Sequence, residues 1–401
     1  MKDFYVDKTA SGYSRSDIES LMEKATGIQP PKKTKLNDLY KLWGACERKK
    51  PALDSSTLYD VVASFTKNTG SLLGYRELTA RIRESYPNHF ISRDYVAMMS
   101  RLQNPEAAER RIPRGLKHPC VFTCPGPGYL IAIDGYDKLR CYGFDIHLSV
   151  DAATRLLYWV RLVNTNSDPR NIGRVYLQHL HETKTISRLM TTDLGTENGI
   201  IARLHYIYQP TDDDESDGAS GVIFHADSAR NERAELMNSR LFKWCTKKWI
   251  QLFKHLHHIA LLIPLNPIDM ECAQAIFRPL LTKDLQQFKT RHNAHTIRKQ
   301  RNSQYSGKSP QFMFDAIDPS WPARLDRPIR DLDFDDAARV CDIPDWKRDP
   351  DVQGTINVHF QQVYDATITI PPDFESSMHA YVMLRAAWTR ALDQFCVSDS
   401  D

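Results

Sequence analysis

The stretch LMTTDLGTENG, Leu189 to Gly199, decides how the chain is read. It runs as a buried strand, ends in the acid Asp193 and breaks at once into glycine and asparagine. An acid at a strand end costs solvation unless something binds it there. A metal ion is one such partner and a simple turn is the other.

Working outward, YLIAID ending at Asp134, YGFDIHLSVD and RLLYWVRLVN are rich in aliphatic and aromatic residues with short turns between them, the pattern of three successive strands. PRNIGRVYLQHLHET reads as a helix with Ile172, Val175, Tyr176 and Leu180 on one face. ISRLMTTD is then a fourth strand, ENGIIARLHYIY a helix and GVIFHA a short fifth strand, with helix again from Glu232 to about Phe253. Between them TDDDESDGASG is polar and acidic, a solvated loop. Strands in a meander, then helix, strand, helix, strand and more helices form a mixed α/β order.

Three acids stand at the ends of these units. Asp134 closes the first strand, Asp193 closes the fourth, and Glu235 lies on the helix that follows the fifth. Where the first and fourth strands are neighbours, the two aspartates meet at the strand ends, and a helix packed beside them adds the glutamate. Converging carboxylates stay ionised together only when cations compensate. Mg²⁺ or Mn²⁺ suits such oxygen ligands, and two ions about 3.5–4 Å apart can activate a hydroxyl and stabilise a leaving oxygen at phosphorus. Glu232, one helical turn before Glu235, is an alternative third ligand. Asp137, Asp145 and Asp151 read as structural or solvated, Glu197 and Asn198 as the cap of the following helix, and His255, His257 and His258 as surface and core residues.

At these residues a resemblance becomes specific. Ile133-Asp134-Gly135, Asp193-Leu194-Gly195-Thr196-Glu197-Asn198 and Asn231-Glu232-Arg233-Ala234-Glu235, in that order, resemble the integrase core of retroviruses and eukaryotic transposons. The closest likeness is to integrase-core proteins encoded in eukaryotic genomes, and it spans roughly residues 70–315. It implies an RNase H-like core with a mixed five-stranded sheet and a catalytic, metal-binding triad at Asp134, Asp193 and Glu235. It also implies two Mg²⁺ or Mn²⁺ ions, cleavage and joining of DNA, and a homo-oligomer acting on element ends and target DNA. The zinc-binding N-terminal module of retroviral integrases has no visible counterpart.

The rest of the chain divides around this core. Residues 1–68 read as short helices, and residues 70–124 hold a helix-turn-helix candidate. There Leu78, Ile82, Val96, Met99 and Leu102 recur at helical spacing, Pro87 and Asn88 break the pattern, and Ser92 is placed to cap the second helix. Arg76, Arg81 and Arg83 on the first helix, and Arg93 and Arg101 on the second, are placed to meet DNA phosphates. CPGPG at 124–128 marks the change from helical to strand-like texture; the core with trailing helices takes 125–322, and 323–401 is an acidic C-terminal region.

Composition narrows the classes. No run of about 18 apolar residues exists, which predicts no membrane span, and MKDFYVDKTA lacks the apolar centre of a secretory signal. The 8 cysteines are scattered without a C-x-x-C pair, so buried thiols are preferred to zinc at His118, Cys120 and Cys124. Residues 1–125 carry 21 Lys and Arg against 14 Asp and Glu, while residues 323–401 carry 8 against 15. A basic front suits a polyanion, and PPKKTK at 30–35 with RKQR at 298–301 are candidate nuclear-import or phosphate patches. The expected function is metal-dependent polynucleotidyl transfer of integrase or transposase type, in the nucleus. The alternatives are a captured, catalytically silent scaffold that binds DNA or protein, and an RNase H-like nuclease acting on RNA or hybrids.

Overall fold

The structure is a computed structural model of the chain. It describes residues 4, 18, 19, 21–23, 38, 51–69, 73–106, 124–193, 195, 198–210, 221–225, 232–299, 305–315, 322–343, 345–348 and 358–398. The acidic loop at 211–220, the basic run at 30–35 and the pair His118 and Cys120 lie outside the described residues. Two compact units form, one from residues 1–127 and 291–324 and the other from residues 128–290 and 325–401.

In the first unit, helices α1 (Ser55–Thr69), α2 (Tyr75–Ser85) and α3 (Arg93–Gln103) pack through Leu58, Val62, Leu78, Ile82, Ile91, Val96 and Met99. Apolar residues three and four apart give each helix one buried stripe. Leu102 departs from the sequence reading: α3 buries Val96, Met99 and Ser100, and Leu102 turns away to 65% exposure. Ser92 occupies the N-cap position of α3 but its side chain makes no capping bond. Arg83 instead ties the α2–α3 turn, its guanidinium donating to the carbonyl of Ile91 at 2.8 and 3.2 Å.

The second unit is built on a five-stranded sheet in the order β3-β2-β1-β5-β6. Its strands are β1 (Leu130–Tyr136), β2 (Asp145–Asp151), β3 (Leu157–Val163), β5 (Leu189–Asp193) and β6 (Gly221–His225). The first three form an antiparallel meander, and β5 and β6 join parallel to β1. Helix α4 (Pro169–Thr183) makes the crossover to β5, and α5 (Gly199–Tyr208) separates β5 from β6. Two details shift from the sequence reading. Tyr142 lies in a 3-10 turn ahead of β2, and ISRLMTTD divides, with Thr185–Ile186 (β4) pairing to Arg327–Pro328 (β7) while β5 begins at Leu189.

Because side chains alternate along a strand, each face of the sheet has its own core. Ile131 and Ile133 of β1 pack against Ile172, Val175 and Leu180 of α4 and Ile201 and Leu204 of α5. Ala132 and Tyr136 face the other way, toward α6 (Glu232–Leu241), α7 (Lys247–His258) and α8 (Pro267–Ala294). A π-helical turn, Phe242–Thr246, joins α6 to α7, so the helical run extends past Phe253 to His258. It brings the Thr246 hydroxyl into a hydrogen bond with the Tyr136 phenol.

The C-terminal residues take part in both cores. α10 (Phe334–Val340) brings Ala337 and Ala338 to the α4–α5 side, while α11 (Val358–Thr367) and α12 (Ser377–Ser398) bring Phe360, Tyr381, Leu384 and Trp388 to the other. The fully buried Asp269 of α8 accepts from the Ile263 N–H and from Arg385 of α12, and the Trp388 indole donates to Glu271 at 3.0 Å. At the entry to β1, Gly128 (φ +73°) donates its N–H to Asp151 at 2.8 Å, and an added Cβ would meet Asp326 at 2.8 Å. The same Asp151 accepts from the Thr154 N–H and hydroxyl, so it is structural.

Histidines withdrawn from water are held neutral, among them His179, which burial pushes down to about 3. The indole of Trp159 donates to His147 Nδ1 at 3.0 Å, and burial pushes His147 down to about 3. His205 sits between the Tyr176 hydroxyl and the Gln209 amide and is pushed down to about 4, also by burial. Since the unfolded chain binds these protons more readily, stability present above the ordinary histidine pKa of about 6.5 is lost as pH falls toward the folded values. The unfolding free energy from urea titrations is expected to drop between pH 7.5 and pH 5, by on the order of 1 kcal/mol per pH unit for each histidine. His147→Asn should flatten that fall, and an unchanged slope would assign the acid sensitivity elsewhere.

Candidate active site

The pairing of β1 with β5 sets Leu130 beside Leu189, Ile131 beside Met190 and Ala132 beside Thr191. Continued two residues further, the same register puts Asp134 level with Asp193. Parallel neighbours at one level point to one face, and Asp134, two residues from Ala132 and from Tyr136, faces the side covered by α6. On that helix Ala234, Met237 and Leu241 are buried against the sheet. Glu235, next to Ala234, is exposed on the flank, as is Glu232.

The charges of these groups act on one another. Asp134 is pushed up to about 7, first by burial, then by the charge of Asp193, with Glu235 and Asp137 adding to it. Glu232 is not among the main charges that raise it, which favours Glu235 as the third carboxylate. Each aspartate also accepts hydrogen bonds. Asn238 Nδ2 donates to Asp134 Oδ2 at 2.8 Å and to the Gly135 carbonyl at 3.2 Å. Asn198 Nδ2 donates to Asp193 Oδ1 at 2.7 Å, and the Gly195 N–H reaches the same oxygen at 3.3 Å.

This corrects the reading of Asn198. It stands at the start of α5, but its side chain makes no capping bond and goes to Asp193 instead; Glu197 lies outside the described residues. Asn238 was not legible as a site residue, although its place three residues after Glu235 sets both on one flank of the helix. The other acids are accounted for by local structure. Asp145 accepts from Arg140 and from the Asn166 N–H, and Asp137 accepts from the Asn166 amide at 2.8 Å. His255, His257 and His258 are exposed on α7.

Three hard carboxylates, one with its proton affinity raised first by burial and then by its neighbours' charge, form a donor set whose chemistry fits a divalent cation. Among the described residues, no three His, Cys, Asp or Glu side chains sit close enough to hold an ion as they stand. Glu235 is exposed on α6, where a change of rotamer costs little.

The basic residues of the three-helix unit divide into two kinds. Arg81 is half-buried and pairs with the buried Glu77 at 3.1 Å, and Arg291 also pairs with Glu77 and with Glu84. Arg76, Arg93 and Arg101 are exposed, Arg93 lying 3.4 Å from Asp94.

Residues 121–314 match the family profile described as the integrase core domain. The match supports an integrase core assignment for this part of the chain, and the mixed five-stranded sheet with flanking helices is the α/β architecture that goes with it. Members of the family are polynucleotidyl transferases that generally bind DNA and use divalent metal ions. No curated protein matches the chain significantly. Among the described residues no helix is long and apolar enough to cross a membrane.

The raised Asp134 gives a pH-dependent expectation for metal-free protein. A carboxyl held at about 7 when folded, against 3.8 ordinarily, contributes stability that is complete below 3.8 and lost as pH rises through 7. Asp134→Asn cannot ionise, so it should raise the Tm in EDTA at pH 8 by about 2–4 °C. The gain should shrink toward pH 4; an equal gain at both pH values, or a loss at pH 8, would remove Asp134 from a crowded acidic site.

Proposed function

We propose that the protein is a metal-dependent polynucleotidyl transferase of integrase or transposase type, cleaving DNA and joining element ends to target DNA. The observation that carries this reading is the β1–β5 register that sets Asp134 level with Asp193, with Glu235 on the helix packed beside them, inside an integrase core domain. Asp134, Asp193 and Glu235 are the residues that would hold the Mg²⁺ or Mn²⁺ ions. When bound, the ions supply activation of a water or a DNA 3′-hydroxyl and neutralise charge at the leaving oxygen. The chain's own part is to orient: phosphoryl transfer asks mainly for positioning and charge balance. Asp134 and Asp193 sit on adjacent strands of one sheet, the rigid part of the site, while Glu235 comes from a helix packed over it.

Exposed Arg76, Arg93 and Arg101 are proposed to hold duplex phosphates, with Arg81 acting through its tie to Glu77. The protein works as a homo-oligomer in the nucleus. A second reading is favoured by one observation, that no three ligating side chains are already close enough to clasp an ion among the described residues. In that reading the chain is a captured scaffold that binds DNA and performs no chemistry.

Asp193→Asn separates the two. It keeps the side-chain size and removes the charge, so Mg²⁺- or Mn²⁺-dependent nicking and joining should disappear while duplex binding in EDTA stays within about twofold. Wild-type protein without metal-dependent cleavage or joining on DNA, RNA or hybrid would give the scaffold reading preference. Cleavage confined to RNA or hybrids would make the protein a nuclease. Binding is tested separately: Arg93→Ala with Arg101→Ala should weaken duplex affinity and reduce the slope of log K against log salt by about 2, one unit per phosphate contact. An unchanged slope would leave α2 and α3 as a plain helical hairpin.

A further inference from the structure

Asn198 and Asn238 come from different helices, α5 and α6, and each hands an amide hydrogen to a different aspartate of the site. The orientation of Asn238 follows from its neighbours. The Gly135 carbonyl can only accept, as can Asp134 Oδ2 when ionised, so the amide presents its nitrogen to both. Flipping it would set oxygen against oxygen. As placed, the Asn238 Oδ1 is buried and has no hydrogen-bond partner. An asparagine kept only to fill space would have no reason to leave its oxygen in that state.

Asn198 gives the same sign by another route. It is 4% exposed and stands where a helix-start asparagine ordinarily caps the backbone. The capping bond is not made, and the amide goes to Asp193 Oδ1 at 2.7 Å. In both cases the local requirement of the asparagine yields to the aspartate.

We infer that Asn198 and Asn238 are a matched pair of positioning residues, each fixing one aspartate's rotamer so that the two carboxylates face each other ready for a divalent ion. This rests on the proposed function of the same site. Each amide occupies one carboxylate oxygen, leaving the carboxylate's remaining acceptor capacity for the cation. Neither asparagine needs to touch DNA or the ion. Residues that orient metal ligands in this way commonly change metal affinity by about 10–100-fold when replaced.

The test is Mn²⁺ binding to the full chain, followed by electron paramagnetic resonance, which reads the ion without any turnover. Asn238→Leu and Asn198→Leu keep the branched shape and the number of heavy atoms and remove the donor; Asn238→Gln and Asn198→Gln keep the amide and spoil the fit. Positioning by hydrogen bond predicts that each Leu variant loses about tenfold or more in Mn²⁺ affinity and that each Gln variant binds better than its Leu counterpart. A packing role predicts the reverse order, because Leu fits better than Gln. Near-UV circular dichroism and the Tm in EDTA serve as the control for folding. Wild-type protein that fails to bind Mn²⁺ at millimolar concentration would overturn the proposed function and this inference with it. Wild-type protein that binds, with Leu variants equal to it or ranking above Gln, would overturn the inference alone.

Discussion

The parallel pairing of β1 with β5 sets each β1 residue beside the one 59 positions later, from Leu130 and Leu189 to Ala132 and Thr191. That register brings Asp134 and Asp193 to one level, on one face, past the last paired residues. A slip of one position would send Asp193 to the opposite face, among the side chains of α4 and α5. The apolar residues prevent the slip, because Ile131 and Ile133 need the α4–α5 core while Ala132 and Tyr136 need the α6–α8 core. The position of two acids is therefore held by hydrophobic burial on both sides of a central strand.

This placement carries an electrostatic cost that the surrounding residues offset only in part. Asp134 is partly withdrawn from water and faces Asp193 and Glu235. Among the described residues, two asparagine amides and the backbone N–H groups of Gly135 and Gly195 donate to the two aspartates. They orient carboxylates and bring no net positive charge, so the mutual repulsion of the acids stays for a divalent ion to answer.

Much of this was legible in the sequence. Alternating strands with aliphatic cores, the helix at 169–183 and the order of elements follow from periodicity alone, because burial on a sheet or helix face forces it. The two aspartates were legible because an acid closing an apolar strand is costly without a partner. What escaped were choices made by tertiary contact. Nothing local told Leu102 to face outward, since that depends on where α1 and α2 lie. Asn198 reads as a cap from its position, and only Asp193's proximity takes it away. Asn238 carries no motif of its own and acquires meaning from Asp134, 104 residues earlier. Acidic residues 323–401 read as a separate region by charge, yet Phe360, Tyr381 and Trp388 are spaced to be buried and join the core.

The central claim is that Asp134, Asp193 and Glu235 are one divalent-cation site on an integrase core domain. Anomalous diffraction from crystals of the full chain soaked in Mn²⁺ tests it most directly. The account predicts anomalous density within coordination distance of both aspartates, with the Glu235 side chain turned toward it. Density absent from that position at millimolar Mn²⁺, or present with Glu235 directed away and Glu232 in its place, would contradict the assignment.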